Sequence, residues 1–161
     1  MNSYITVTRF NESTWREHSL YNNNNNNNKL IYNSPSRITD CIPVDSYIFV
    51  LEMHNDENKI KGIGIIKNHI LSKKCKIFED QNYNRFAYKC LLRIDREDLN
   101  NYDESIITFF DIMCFKGKKH LKRGKGIQRI PNNIIESCKS ILYFPKHFEN
   151  MFKNKNKSLF I

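Results

Sequence analysis

Alanine occurs once in these 161 residues, at Ala87, glycine five times and tryptophan once, at Trp15. No apolar run approaches the ~18 residues that a membrane helix needs; the longest lie at 47–51 and 62–66. The opening residues show neither a basic n-region nor an apolar h-region, so no secretory signal is expected. Cysteine is scattered over Cys41, Cys75, Cys90, Cys114 and Cys138, with no C-x-x-C and no His at zinc-finger spacing from a Cys pair. The expectation is five structural thiols in a reducing compartment. Neither G-x-x-x-x-G-K-[ST], G-x-S-x-G nor H-E-x-x-H occurs. Together these absences predict an intracellular protein with no membrane span, no metal and no cofactor.

What is plentiful is asparagine, isoleucine and lysine, with 22, 21 and 18 copies. All three have AT-rich codons, while alanine and glycine have GC-rich ones. The composition reads as that of an AT-rich genome, such as that of a giant DNA virus, a slime mould or a malaria parasite. Such a bias raises lysine everywhere, so a basic patch carries meaning only where it is local.

It is local here. The net charge is +9. Residues 1–111 hold 14 Lys and Arg against 15 Asp and Glu, whereas residues 112–161 hold 12 against 2. The asymmetry points to a polyanionic partner on one part of the molecule. The densest stretch is 116–129 (KGKKHLKRGKGIQR), with seven Lys or Arg and no acid. Gly117, Gly124 and Gly126 let its backbone approach a ligand closely. The expected nucleic-acid contacts are Lys116, Lys118, Lys119, His120, Lys122, Arg123, Lys125, Gln128 and Arg129. A solvated surface loop or an import signal are the alternatives.

Alternation of apolar and β-branched residues predicts a strand at 4–8 and a strong hairpin at 46–53 and 59–67. Gly62 and Gly64 in its return arm suggest a bend where a sheet curls. Another strand is expected at 86–95, with short ones near 75–78 and 127–130. Helices are expected around Trp15, at 104–115 capped by Asp103 or Ser105, at 133–142 behind Pro131, and as a turn or two at 145–152. The Asn tract at 22–28 reads as a loop insertion whose deletion leaves stability unchanged. The class is α+β: a small curled antiparallel sheet with flanking helices. One domain over 1–150 and a basic, frayed tail over 151–161 are expected.

Four stretches carry a resemblance: 47–50 (YIFV), 61–66 (KGIGII), 84–89 (NRFAYK) and 121–131 (LKRGKGIQRIP). Across 46–135 their order resembles the PUA-like superfamily, which includes the EVE, ASCH and YTH modules. The combination with an Asn-rich tract is also similar to small proteins of giant viruses, which would place the chain in the cytoplasm, a viral factory or a virion. The resemblance implies a pseudo-barrel binding nucleic acid, RNA ahead of DNA, or a modified base held among aromatic rings. Trp15, Tyr83 and Phe86 are the stacking candidates, with Tyr32 beside them; stacking contributes about 1–3 kcal/mol per base.

Two other readings stay open. Asp95, Glu97, Asp98, Asp103 and Glu104 flank a helix start, and paired carboxylates there would suit a small metal-dependent nucleic-acid enzyme. The same acids are what a helix N-terminus favours electrostatically, so no catalytic residue is assigned. The other reading is an interaction protein, viral or cellular, whose basic end packs on an acidic protein.

Overall fold

The computed structural model describes residues 2–24 and 30–160. Among them are six strands and four α-helices in the order β1 Ser3–Phe10, α1 Glu12–Asn23, β2 Ile31–Ser34, β3 Tyr47–His54, β4 Lys59–Ile70, β5 Phe86–Asp95, α2 Asn101–Phe115, β6 Gln128–Arg129, α3 Asn132–Ser137 and α4 Phe144–Lys155. This is the α+β class, with the strands in one curled half-barrel sheet ordered β2-β5-β4-β3-β1-β6. No described helix is long and apolar enough to cross a membrane.

The β3–β4 hairpin sits at the centre, as its alternation predicts. Phe49, Leu51 and Met53 of β3 meet Ile107 and Phe110 of α2 and Phe148 and Phe152 of α4. Ile48 and Val50, pointing the other way, meet Tyr32, Ile66 and Tyr88. Register breaks at Leu51/Met53 and along β4 at Ile65/Ile66 and Ile66/Ile70 curl the sheet. The pairing is antiparallel except between β1 and β3, which run parallel with Thr6 opposite Val50. The chain between them includes α1, the long connection a parallel pair requires.

Gly62 and Gly64 have a different reason from the bend expected of them. A Cβ on Gly64 would collide with the ring and hydroxyl of Tyr32, and one on Gly62 with Arg93 and Glu52. Both glycines make room for a buried polar group. Tyr32 donates to Glu52 Oε1 at 2.5 Å, and Arg93 grips the same carboxylate through Nη2 at 2.6 Å and Nε at 2.8 Å.

Several boundaries differ from the sequence reading. No strand forms at 75–78; Asn84 Oδ1 accepts from the Ile77 and Phe78 amides at 3.1 and 3.0 Å, replacing ladder partners. The cap of α2 is Asn100, whose Oδ1 accepts from the Asp103 amide at 2.8 Å. α3 stops at Ser137, while α4 is three turns long and buries Phe148, Met151 and Phe152. The end of the chain is accordingly packed, and Phe160 lies edge-on to Tyr47 at 5.1 Å. Of the Asn tract, Asn22 and Asn23 close α1; residues 25–28 lie outside the described residues.

Candidate nucleic-acid interface

The basic segment leaves α2 and is pinned at intervals. The Leu121 amide donates to Cys114 O at 2.7 Å. Arg9 Nε donates to Leu121 O, and Asn55 Nδ2 donates to Lys122 O at 3.0 Å. Gly117, Gly124 and Gly126 all have positive φ, which any other residue adopts at a cost. At Gly126 a Cβ would also strike Ser34 Oγ, so the loop lies close to the end of β2. Ile127 is buried, and β6 pairs with β1 at Thr6 and Val7.

The predicted contacts divide. Lys116, Lys118, Lys119, Arg123, Lys125 and Gln128 are exposed. Lys122 is engaged, its Nζ on Asn58 Oδ1 at 2.7 Å. His120 Nδ1 accepts from the Lys122 amide at 3.2 Å, and the Arg129 guanidinium lies 5.0 Å above the Tyr4 ring.

Beside the loop, at the C-terminal end of β1, is a cavity of about 170 Å³. Lys122, Gly124, Lys125 and Gly126 form one side; Arg9, Phe10, Asn33, Asn55, Phe78 and Tyr83 are among its other lining residues. Three of these carry a buried polar atom with no hydrogen-bond partner: Arg9 Nη1, Asn33 Oδ1 and Asn55 Oδ1. Among the described residues the fourth such atom is His147 Nε2, which lies 2.9 Å from Asp103 Oδ1 but outside hydrogen-bond geometry. An orphan of this kind destabilises by about 1–3 kcal/mol unless water or another group pairs with it, so three on residues lining one cavity single that cavity out among the described residues.

Of the stacking candidates, Tyr83 lines this cavity and Trp15 and Phe86 do not. Trp15 packs edge-on to Phe10 at 5.2 Å, under Lys61 and Arg93, and lines a separate cavity of about 160 Å³ with His18 and Arg93. Phe86 is covered by Arg37 at 5.4 Å. Tyr32 is fully buried, its hydroxyl engaged by Glu52. Arg9, Asn33 and Asn55 carry no motif; Arg9 and Asn55 fall just after the strands expected at 4–8 and 46–53, and Asn33 lies in β2, a strand that was not expected.

Asp95, Glu104 and Asp111 are tied to arginines, whereas Glu97 and Asp98 make no ion pair among the described residues. Asp95 Oδ2 pairs with Arg93 at 2.9 Å, Glu104 and Asp111 hold Arg96 at 2.7 Å each, and Asp103 faces His147 at 2.9 Å. Glu12, His54 and Glu57 also converge, yet both nitrogens of buried His54 are engaged. Nδ1 accepts from the Glu57 amide, which leaves the proton on Nε2 for Glu12. Cys90 and Cys114 are buried, and burial pushes both thiols up to about 12.

No protein-family model matches this chain, and no curated protein matches it. Among solved structures it is similar to the YTH domain of the Zygosaccharomyces rouxii MRB1 protein, in a complex with N6-methyladenosine RNA. The two share 16% identity with a TM-score of 0.37, over 87% of this chain and 86% of that one.

Proposed function

We propose that this chain is a non-catalytic module that binds single-stranded nucleic acid. The exposed cations of the 116–129 loop meet phosphates, and one unpaired base enters the cavity beside them. The observation that carries this reading is the base-sized cavity walled by that loop and lined by three residues with unpartnered buried polar atoms. A cavity of about 150 Å³ takes one benzene ring, so this one is scaled to a base rather than to a larger cofactor. Tyr83 and Phe78 offer ring surface at the same place. RNA is the first ligand to test, because resemblance to PUA-like modules implies it and because single-stranded RNA is read through splayed-out bases.

The test is fluorescence anisotropy of a labelled single-stranded RNA over a salt series. With about four phosphates neutralised, the log–log slope is near −3. Replacing the exposed Lys119, Arg123 and Lys125 together by Ala lowers the slope by roughly 2 and weakens all sequences alike, since phosphate contacts do not read bases. Binding by the triple variant equal to the parent's at every salt concentration overturns the reading. So does tight capture of an acidic protein with no affinity for RNA.

A further inference from the structure

The outward face of α2 carries no charge. A surface helix normally turns its charged residues toward water, and charged residues make up 27% of this chain. α2 has three, Asp103, Glu104 and Asp111, and all are half-buried at its flanks. Asp103 faces His147, while Glu104 and Asp111 hold Arg96. The residues that α2 exposes are Asn101, Tyr102, Ser105, Thr108, Phe109 and Ile112. At about 100° per residue, Tyr102, Ser105, Phe109 and Ile112 fall within about 80° of one another and form one stripe. Its three large side chains are well exposed: Tyr102 by 60%, Phe109 by 39% and Ile112 by 52%. α4 braces one edge of the stripe. Phe109 stacks on Phe144 at 5.6 Å, and Tyr102 lies edge-on to His147 at 5.4 Å.

The charge stands at the two ends. Glu97 and Asp98, just before the helix, are exposed and make no ion pair among the described residues. The same holds for Lys116 and Lys118, just after it. An uncharged stripe with one acidic and one basic end complements itself when turned end for end. That is the symmetry of an isologous two-fold contact, in which residue i of one copy meets j of the other and j meets i.

We infer that two copies of this chain pair through α2, antiparallel about a two-fold axis. With the axis level with Ile107, midway along the stripe, Tyr102 of one copy comes level with Ile112 of the other. Ser105 then comes level with Phe109, a small side chain opposite a large ring. The same register brings Lys116 level with Asp98, twice per dimer. A parallel pairing would set acid against acid and base against base. Nucleic acid is not required for this contact. Lys116 and Lys118 precede the tie from the Leu121 amide to Cys114 O, whereas Lys122 and Lys125, which line the cavity, follow it. A single helix face is small against the ~800 Å² per partner of a standard interface, so a dissociation constant on the order of 10–100 μM is expected.

The experiment is sedimentation equilibrium of the intact chain, without nucleic acid, across that concentration range and about fivefold beyond it in each direction. A concentration-dependent monomer–dimer equilibrium is expected. Ile112→Asp changes an exposed side chain, so the urea midpoint is expected to hold while dimerisation weakens at least tenfold. Lys116→Glu and Asp98→Lys are each expected to weaken it about fivefold, since two rim pairs are lost together. The double variant exchanges the two charges and is expected to return to within about twofold of the parent. If Ile112→Asp lowers the urea midpoint, the charge exchange alone decides. A parent that stays monomeric at every concentration overturns the inference, whatever else covers the face. A dimer that Ile112→Asp leaves intact uses another surface and overturns it too. So does a double variant that is weaker than either single one.

Discussion

Arg9 and Asn55 hold consecutive carbonyls of one loop, Arg9 through Nε on Leu121 O and Asn55 through Nδ2 on Lys122 O. One side chain comes from the end of β1, the other from just after β3, and these strands pair in parallel, with Phe10 opposite His54. The sheet thereby sets the position of a loop more than sixty residues downstream of either strand. Arg9→Met keeps the aliphatic stem and removes the donor. The expected outcome is a loss of about 1–2 kcal/mol in urea unfolding together with weaker RNA binding. Unchanged stability and unchanged binding would show that the loop holds its place without Arg9.

A second prediction concerns the carboxylate gripped by Arg93. Glu52 is fully buried and takes two hydrogen-bonding partners, Tyr32 and Arg93. Glu52→Gln keeps the shape and leaves the Arg93 guanidinium without its main counter-charge. A loss of about 3–5 kcal/mol is expected from the urea midpoint. The pair Glu52→Leu with Arg93→Leu removes both charges and is expected to lose much less, because the larger part of the penalty belongs to the abandoned charge. Equal losses in the single and double variants would mean that packing around Gly62 and Gly64, not charge, dominates.

Stability should also depend on pH through His18. This imidazole stacks on Tyr32 at 5.4 Å and lies tilted against Phe10 at 4.7 Å. Burial is the main cause that lowers its pKa from 6.5 to about 4; nearby Arg93 lowers it further and Glu52 opposes. Between these two values the unfolded chain takes up a proton that the folded one refuses. Stability therefore rises with pH across that interval and this contribution is flat outside it. The swing is on the order of 3 kcal/mol. His18→Phe keeps the ring packing and removes the titration, so its urea midpoint should depend less on pH from about 4 to 6.5 than the parent's. Identical pH slopes in the two proteins would assign the dependence to other groups.

The sheet was legible wherever a strand alternates. Residues 47–54 pack both faces with period two, and that pattern survives in any fold that buries them. The parallel β1–β3 pair was not, because strand direction depends on the intervening crossover and not on either strand's own residues. The missing strand at 75–78 has a similar cause: a single side chain, Asn84, satisfies its backbone from a distance of several residues. The basic loop was legible from composition alone. Arg9, Asn33 and Asn55 were not, since each is a polar residue at a strand end. What distinguishes them is which of their atoms is left over after the others are bonded, and that exists only once the chain is folded.

The last prediction separates residues of the Asn tract that composition treats as equal. Asn22 is not loop filler. Its Nδ2 donates to His18 O at 2.9 Å and to Ile31 O at 3.3 Å, and its Oδ1 accepts from the Ile31 amide at 2.8 Å. One side chain thus ties the last turn of α1 to the first residue of β2, from which Ile31 enters the core. Asn23, the next residue, is exposed. Asn22→Ala leaves the Ile31 amide without its partner and should lower stability by about 1–3 kcal/mol. Asn23→Ala should stay within about 0.5 kcal/mol of the parent, as surface changes do. Removing all of 22–28 takes Asn22 with it and should destabilise by at least as much as Asn22→Ala, against the expectation from composition that the tract is dispensable. Urea midpoints of the three variants decide the matter. Equal stability of the Asn22 and Asn23 variants would mean that water replaces the bridge at no cost.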